Sequence, residues 1–275
     1  MIESWQILRV GACRHPEAMT LRGGHWCEVS FPALVGLIKH RTFGHILFDT
    51  GYDDRFFAVT ETFPERLYRM ATPVQFDAND SLPAQLGRLG LTLDDIGGVF
   101  VSHFHGDHIA GLSAFPKARI FCDAEGLKRV RSGGRFGRVR KGLLSALVPD
   151  DIDSRAVHFE AIPRVALGDA MAPFTHGADV LGDGSLIAVE LPGHCPGHWG
   201  LLVLRANERP AFFIGDAAWS IAAVTDNRPP PAITTALLGE TASYRQTLSA
   251  LNAVSQTGAV ELIPSHCEVT AAKWL

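Results

Sequence analysis

The chain has 275 residues, 47% apolar and 20% charged, so it can bury roughly 70 to 75% of its unfolded surface without help from disulfides or oligomerisation. Twenty-five Lys and Arg against 29 Asp and Glu give a net charge of −4, which argues against a surface built as a whole to hold nucleic acid. No run approaches the ~20 apolar residues that span a bilayer. Glu3 stands where a secretory signal needs basic residues, and five scattered cysteines contain no C-x-x-C, so a cytoplasmic chain with reduced thiols is expected.

In chain order, Glu3 to Val10, Ala33 to His40 and His45 to Asp49 read as strands, the last two joined as a hairpin through Gly44. Asp54 to Met70 is aromatic-rich and broken by Pro64, which predicts two short helices or a helical loop, able to form one wall of a pocket. Leu82 to Leu89 has helical spacing behind the N-cap residue Ser81 and ends at Gly90. Ile96 to Ser102 is a buried strand that runs straight into a histidine cluster. Further strands are expected at Ile120 to Cys122, Leu186 to Leu191, Gly200 to Leu204, Ala211 to Ile214 and Val260 to Pro264, with an amphipathic helix over Thr241 to Ser255. Interleaved strands and helices without a regular βα period favour a layered α/β sandwich. No linker divides the chain, so a single domain over 1–275 is expected, with 128–167, the stretch weakest in core signals, as an excursion from it.

The chemistry is concentrated in Ser102-His103-Phe104-His105-Gly106-Asp107-His108, where three imidazoles and a carboxylate fall within six positions. In extended backbone His103 and His105 point to one side and can reach one ion, and a turn at Gly106 can present Asp107 and His108 to a second. An unmetallated cluster of this density would repel itself as it protonated. Three more candidates follow apolar strands: His194 in a Gly193-His194-Cys195-Pro196-Gly197-His198 turn, Asp216 after Gly215, and His266 after Ser265. A carboxylate such as Asp216 has two oxygens with which to bridge two cations.

Together these segments resemble the metallo-β-lactamase superfamily, with its H-x-H-x-D-H motif, later strand-end His, bridging Asp and last His. Asp49-Thr50-Gly51 is similar to the family's early Asp turn, whose Asp supports the ligand loop without being a ligand. The resemblance covers about residues 33 to 267. It implies the four-layer αββα sandwich, with His103, His105 and His194 on a first metal, Asp107, His108 and His266 on a second, and Asp216 bridging. Two zinc ions are implied, although iron, manganese or cobalt suits the same donors. The implied reaction is hydrolysis by a bridging hydroxide, with Asp107 orienting the nucleophile or relaying a proton.

Phe31-Pro32-Ala33, the strand into Asp49, the Gly193 to His198 turn and Gly215-Asp216-Ala217 resemble N-acyl-homoserine lactone lactonases, which implies a small lactone or ester substrate. Those enzymes usually carry a Tyr three residues after the bridging Asp. Here the position is Trp219, whose indole donates one hydrogen bond but is no phenol, so a different substrate or a shifted assisting group is implied. Glyoxalase II-like thioesterases and the family's phosphodiesterases and nucleases are the alternatives within hydrolysis. A non-hydrolytic mono-iron redox enzyme is the alternative outside it.

A basic run from Lys128 to Lys141, seven charges without an acid between them, reads first as a solvated face, then as an anion clamp, and least as a nucleic-acid contact. Trp26, Phe31, Tyr52, Phe56, Phe57, Phe63 and Tyr68 fit packing better than an acyl-chain pocket. Cys195 and Cys267 read as small buried hydrophobes, and His198 as a supporting group. Oligomeric state is left open by the sequence.

Overall fold

The computed structural model describes residues 1–275. Seven strands from the first part of the chain form one sheet: β1 (Ile2–Pro16), β2 (Glu28–His40), β3 (Gly44–Phe48), β4 (Val74–Gln75), β5 (Ile96–Phe100), β6 (Arg119–Cys122) and β7 (Ala156–His158). Their order is β4-β1-β2-β3-β5-β6-β7. Six more form the second sheet, β8 (Arg164–Ala166), β9 (His176–Asp179), β10 (Leu186–Glu190), β11 (Trp199–Val203), β12 (Ala211–Gly215) and β13 (Glu261–Pro264), in the order β13-β12-β11-β10-β9-β8.

Three separate apolar layers show how these sheets stack. Ile38, Phe48, Phe100, Phe159, Leu201 and Phe213 pack between the two sheets. Val35, Leu47, Val99 and Ile120 face the other way, onto helix residues such as Phe56, Leu86 and Leu127. On the far face of the second sheet Ile187, Leu202 and Phe212 meet Tyr244, Leu248 and Leu251 of the helix Thr241–Thr257. Each sheet is therefore apolar on both faces, which is why its strands read as continuous hydrophobic runs, and the fold is a four-layer αββα sandwich.

Strand direction decides where the functional loops emerge. β3 and β5 pair in parallel, so both leave the first sheet at the same edge. β11 is antiparallel to both β10 and β12, and β13 is parallel to β12, so β10, β12 and β13 share a direction in the second.

The local expectations hold in most places. The hairpin pairs Gly44 with His40, and Ser81 caps the helix Leu82–Arg88 through the Ala84 N–H. Two short helices, Asp54–Val59 and Arg66–Ala71, flank Pro64. The turn expected at Gly106 is the start of a one-turn helix, Gly106–Ile109, so Asp107 and His108 lie within it. Residues 128–167 supply the edge strand β7 and bury Val130, Leu144, Leu147 and Phe159. No helix is long and apolar enough to cross a membrane.

Candidate metal centre

All seven candidate ligands leave strand ends and are buried together: His103, His105, Asp107 and His108 after β5, His194 after β10, Asp216 after β12 and His266 after β13. The two oxygens of Asp216 divide them. Oδ2 lies 3.3 Å from His194 Nε2 and 4.0 Å from His103 Nε2, and His194 Nε2 is 3.1 Å from His105 Nδ1. Oδ1 lies 3.0 Å from His266 Nε2 and 3.3 Å from His108 Nε2. Asp107 Oδ2 completes the second group, 3.3 Å from His266 Nε2 and 3.7 Å from His108 Nε2.

These separations suit metal ligands. Four donors set tetrahedrally at 2.0 to 2.1 Å from an ion stand about 3.4 Å apart. Unpartnered atoms make the same point: Nε2 of His103, His105, His108 and His266, and Oδ1 of Asp216, are buried without a hydrogen bond. Each such atom costs about 1 to 3 kcal/mol if nothing satisfies it; those of His103, His108, His266 and Asp216 converge, whereas His105 turns Nδ1 to His194 and Nε2 toward Gly142. The residues therefore fit a dinuclear centre bridged by Asp216. Cys195 Sγ lies within 4.8 Å of the ligand atoms of His103, His105 and His194, but the imidazoles and Asp216 already provide four donors there.

The opposite side of three of the rings, those of His103, His108 and His266, is tied down. Asp49, the residue after β3, holds a left-handed backbone at φ 62°. Its carboxylate accepts from the Ser102 N–H at 2.8 Å, the Ser102 hydroxyl at 2.7 Å and His108 Nδ1 at 2.7 Å. Because the Ser102 hydroxyl donates to Asp49, it is left to accept from His103 Nδ1, 3.0 Å away. His266 Nδ1 donates to the Pro32 carbonyl at 2.7 Å. His103, His108 and His266 are thereby held in the tautomer that turns a bare Nε2 inward. His198 accepts the Asp216 N–H on Nε2 at 3.0 Å and so supports the bridging residue from behind.

Without an ion the cluster is electrostatically split. Burial pushes the pKa values of His103, His105 and His194 down, and that of His198 to about 3. Burial works the same way on His108, but Asp107, Asp216 and Asp49 outweigh it and raise His108 to about 10. His266 is likewise raised, by Asp216 and Asp107 against the cost of burial. Asp107 and Asp216 also lie in buried surroundings that oppose their charge, yet these imidazoles keep both well ionised.

His105, Asp107, His194 and Asp216 form the floor of a cavity of about 530 Å³ whose accessible lining is mostly apolar. Leu67, Val139, Ile233, Leu237 and Leu238 line its walls, with Arg140 among them. Trp219 is on the wall as well, its ring 4.6 Å from that of His266 and 5.1 Å from that of Phe31. Of the aromatic set expected to pack, Phe31, Tyr52 and Phe56 are buried in the core and Trp26 is exposed. Tyr68 behaves differently: it lines the cavity, and its hydroxyl donates to Asp107 Oδ1 at 3.3 Å. Sequence reasoning missed this hydroxyl, because nothing in the spacing links Tyr68 to a residue 39 positions on.

Most of the basic run is neutralised. Lys128 and Arg129 pair with Glu125, Arg131 with Asp153, and Arg135 with Glu65. Carboxylates in those positions do not suit a phosphate-binding surface.

An αββα sandwich with a two-ion donor set at one edge defines a class of metal-dependent hydrolases. Residues 31–266 match the metallo-beta-lactamase superfamily, and the chain belongs to it. Among curated relatives, the N-acyl homoserine lactonase AiiB of Agrobacterium fabrum is 24% identical over 229 residues, 80% of this chain and 74% of that one. The metallo-hydrolase mfmC of Annulohypoxylon moriforme is 29% identical over 67% of this chain, but the match spans only 47% of its own length. Among solved structures, an N-acyl homoserine lactone hydrolase with N-hexanoyl-L-homoserine at its catalytic metal centre superposes with a TM-score of 0.74, at 15% identity, covering 100% of this chain and 97% of that one. AidC, a dizinc quorum-quenching lactonase, gives 0.65 at 15% identity over 96% and 87%.

Proposed function

We propose that this protein is a dinuclear metal-dependent hydrolase that opens a lactone, or cleaves a related ester, bearing an apolar acyl group, N-acyl homoserine lactones among them. One observation carries the reading: Asp216 turns one oxygen to His103 and His194 and the other to His108 and His266, at the floor of an apolar cavity. His103, His105 and His194 would hold one ion, Asp107, His108 and His266 the other, and Asp216 both. When bound, two such ions, zinc in this reading, supply Lewis-acid activation of water and of the scissile carbonyl.

The protein's own groups set up the rest. Asp107, kept ionised at neutral pH by His108 and His266, orients the attacking water and can take a proton on a carboxylate oxygen. Leu67, Val139, Leu237 and Leu238 exclude water and hold the acyl chain, while the Trp219 N–H is available to a carbonyl oxygen. The small-molecule size of the cavity, and the paired charges of the Lys128 to Lys141 run, favour a lactone over a polynucleotide.

The test is turnover of N-acyl homoserine lactones, simple lactones, thioesters, phosphodiesters and β-lactams by zinc-loaded protein, with metal content measured on the same sample. Two ions per chain and lactone opening are expected. Thioester cleavage alone would support a glyoxalase II-like activity, and one tightly held iron without hydrolysis would overturn the proposal in favour of redox chemistry.

A further inference from the structure

Trp219 leaves the cavity without a phenol at the third position after Asp216, and the chain has three tyrosines to take its place: Tyr52, Tyr68 and Tyr244. Tyr52 is ruled out by position, since its hydroxyl is sealed in the core and the residue does not line the cavity. Tyr244 lines the cavity but makes no side-chain hydrogen bond to any candidate ligand. Tyr68 does both, lining the cavity and donating to Asp107 Oδ1.

The phenol is held in a built position. Phe56 meets its ring edge-on with centroids 5.5 Å apart. Gly106, inside the ligand loop itself, leaves room for it: a Cβ there would stand 3.1 Å from Tyr68 Cε1. Asp107 turns Oδ2 to His266 and His108, so Tyr68 takes the oxygen that the ligand cluster leaves over. Its hydroxyl is thus one hydrogen bond from the donor set while its residue borders the space a substrate would fill.

We propose that Tyr68 is the assisting phenol of this site, its O–H moving from Asp107 to the leaving oxygen of the substrate as the acyl C–O bond breaks. The inference rests on the ester- or lactone-hydrolase reading above. In that reaction water adds its OH to the acyl carbon, the C–O bond to the leaving oxygen breaks, and the remaining water proton passes by way of Asp107 to that oxygen. Tyr68 stabilises the charge growing there and is not consumed.

A donor aimed at the leaving oxygen matters most when that oxygen leaves badly. Tyr68→Phe keeps the ring and removes the donor. Esters sharing one acyl group, with leaving alcohols from nitrophenol to an aliphatic alcohol, are compared with the corresponding lactone in wild type and variant at verified metal content. The aliphatic ester and the lactone should lose about 100-fold in kcat, while the nitrophenyl ester changes by less than about threefold. Binding of the opened hydroxy acid, read by calorimetry, should weaken about tenfold. Equal loss on every substrate together with lost metal would make Tyr68 a structural prop and overturn the assignment. So would unchanged kinetics, or a leaving-group dependence that appears in Tyr244→Phe instead. A wild type that opens no ester or lactone overturns the functional reading itself, which distinguishes that failure from a failure of Tyr68 alone.

Discussion

The carboxylate of Asp49 stands 2.7 Å from His108 Nδ1 and accepts two further hydrogen bonds from Ser102. One residue at the end of β3 thus orients His108 directly and His103 through the Ser102 hydroxyl, one imidazole from each group of donors. Asp49→Asn keeps the shape but removes the charge and one acceptor oxygen. Because supporting partners of this kind typically tune metal affinity by about 10- to 100-fold, we expect zinc affinity to fall by that amount. Chelator competition would measure it, and an unchanged affinity would show that Asp49 only shapes the turn.

The split histidine environments give the chelator-stripped protein a bounded window of stability. His108 has a folded pKa of about 10, above the ordinary value of 6.5. Its contribution is therefore complete below about pH 6.5 and is lost as pH rises through about 10. His103, His105, His194 and His198 are shifted the other way, so their contribution is present above about pH 6.5 and is lost as the unfolded chain takes up protons below it. Thermal melts of stripped protein should show a maximum at about pH 6.5 to 7 and a decline toward about pH 10, with zinc extending the alkaline side. Zinc loading at pH 7 should release about two protons, from His108 and His266, because ligands must be deprotonated to bind. Calorimetry in buffers of different ionisation enthalpy counts them; zero release would contradict the charge distribution described here.

What the sequence makes legible here is whatever depends on local order. The seven ligands follow apolar strand runs, and strands buried on both faces advertise their ends. The Asp49 turn was readable for the same reason. Residues 128–167 were harder, because their buried side chains, Val130, Leu144, Leu147 and Phe159, are spread among charges, glycines and one proline and find the core only through tertiary packing. Tyr68 was harder still. Its role depends on the helix Arg66–Ala71 folding back over Gly106, a contact that no periodicity encodes.

Gly193 shows how tightly the first group of donors is set. It has φ 122°, and an added Cβ would lie 2.1 Å from the Tyr244 backbone nitrogen. The neighbouring wall cannot yield easily, since the Glu240 N–H donates to the Gly193 carbonyl at 2.9 Å. Gly193→Ala should therefore displace His194 from His105 and Asp216 and cost about 2 kcal/mol or more in stability. Metal analysis should show the first site weakened more than the second. A variant with wild-type melting and metal content would mean that the turn repacks without moving His194.

Ligand variants should separate the two sites by stoichiometry. His103→Ala removes a donor whose Nε2 stands 4.0 Å from Asp216 Oδ2, the oxygen turned to His194, so about one ion per chain should remain. Replacing Asp107 and His108 together should empty the other site. Asp216→Ala removes the oxygen nearest each group and should weaken both. Each change should lower lactone turnover by at least about 100-fold, since activation of water and carbonyl depends on the pair. Elemental analysis alongside kinetics checks this. Full turnover after His103→Ala, or after exhaustive chelation, would mean that the reaction does not need the centre these residues build.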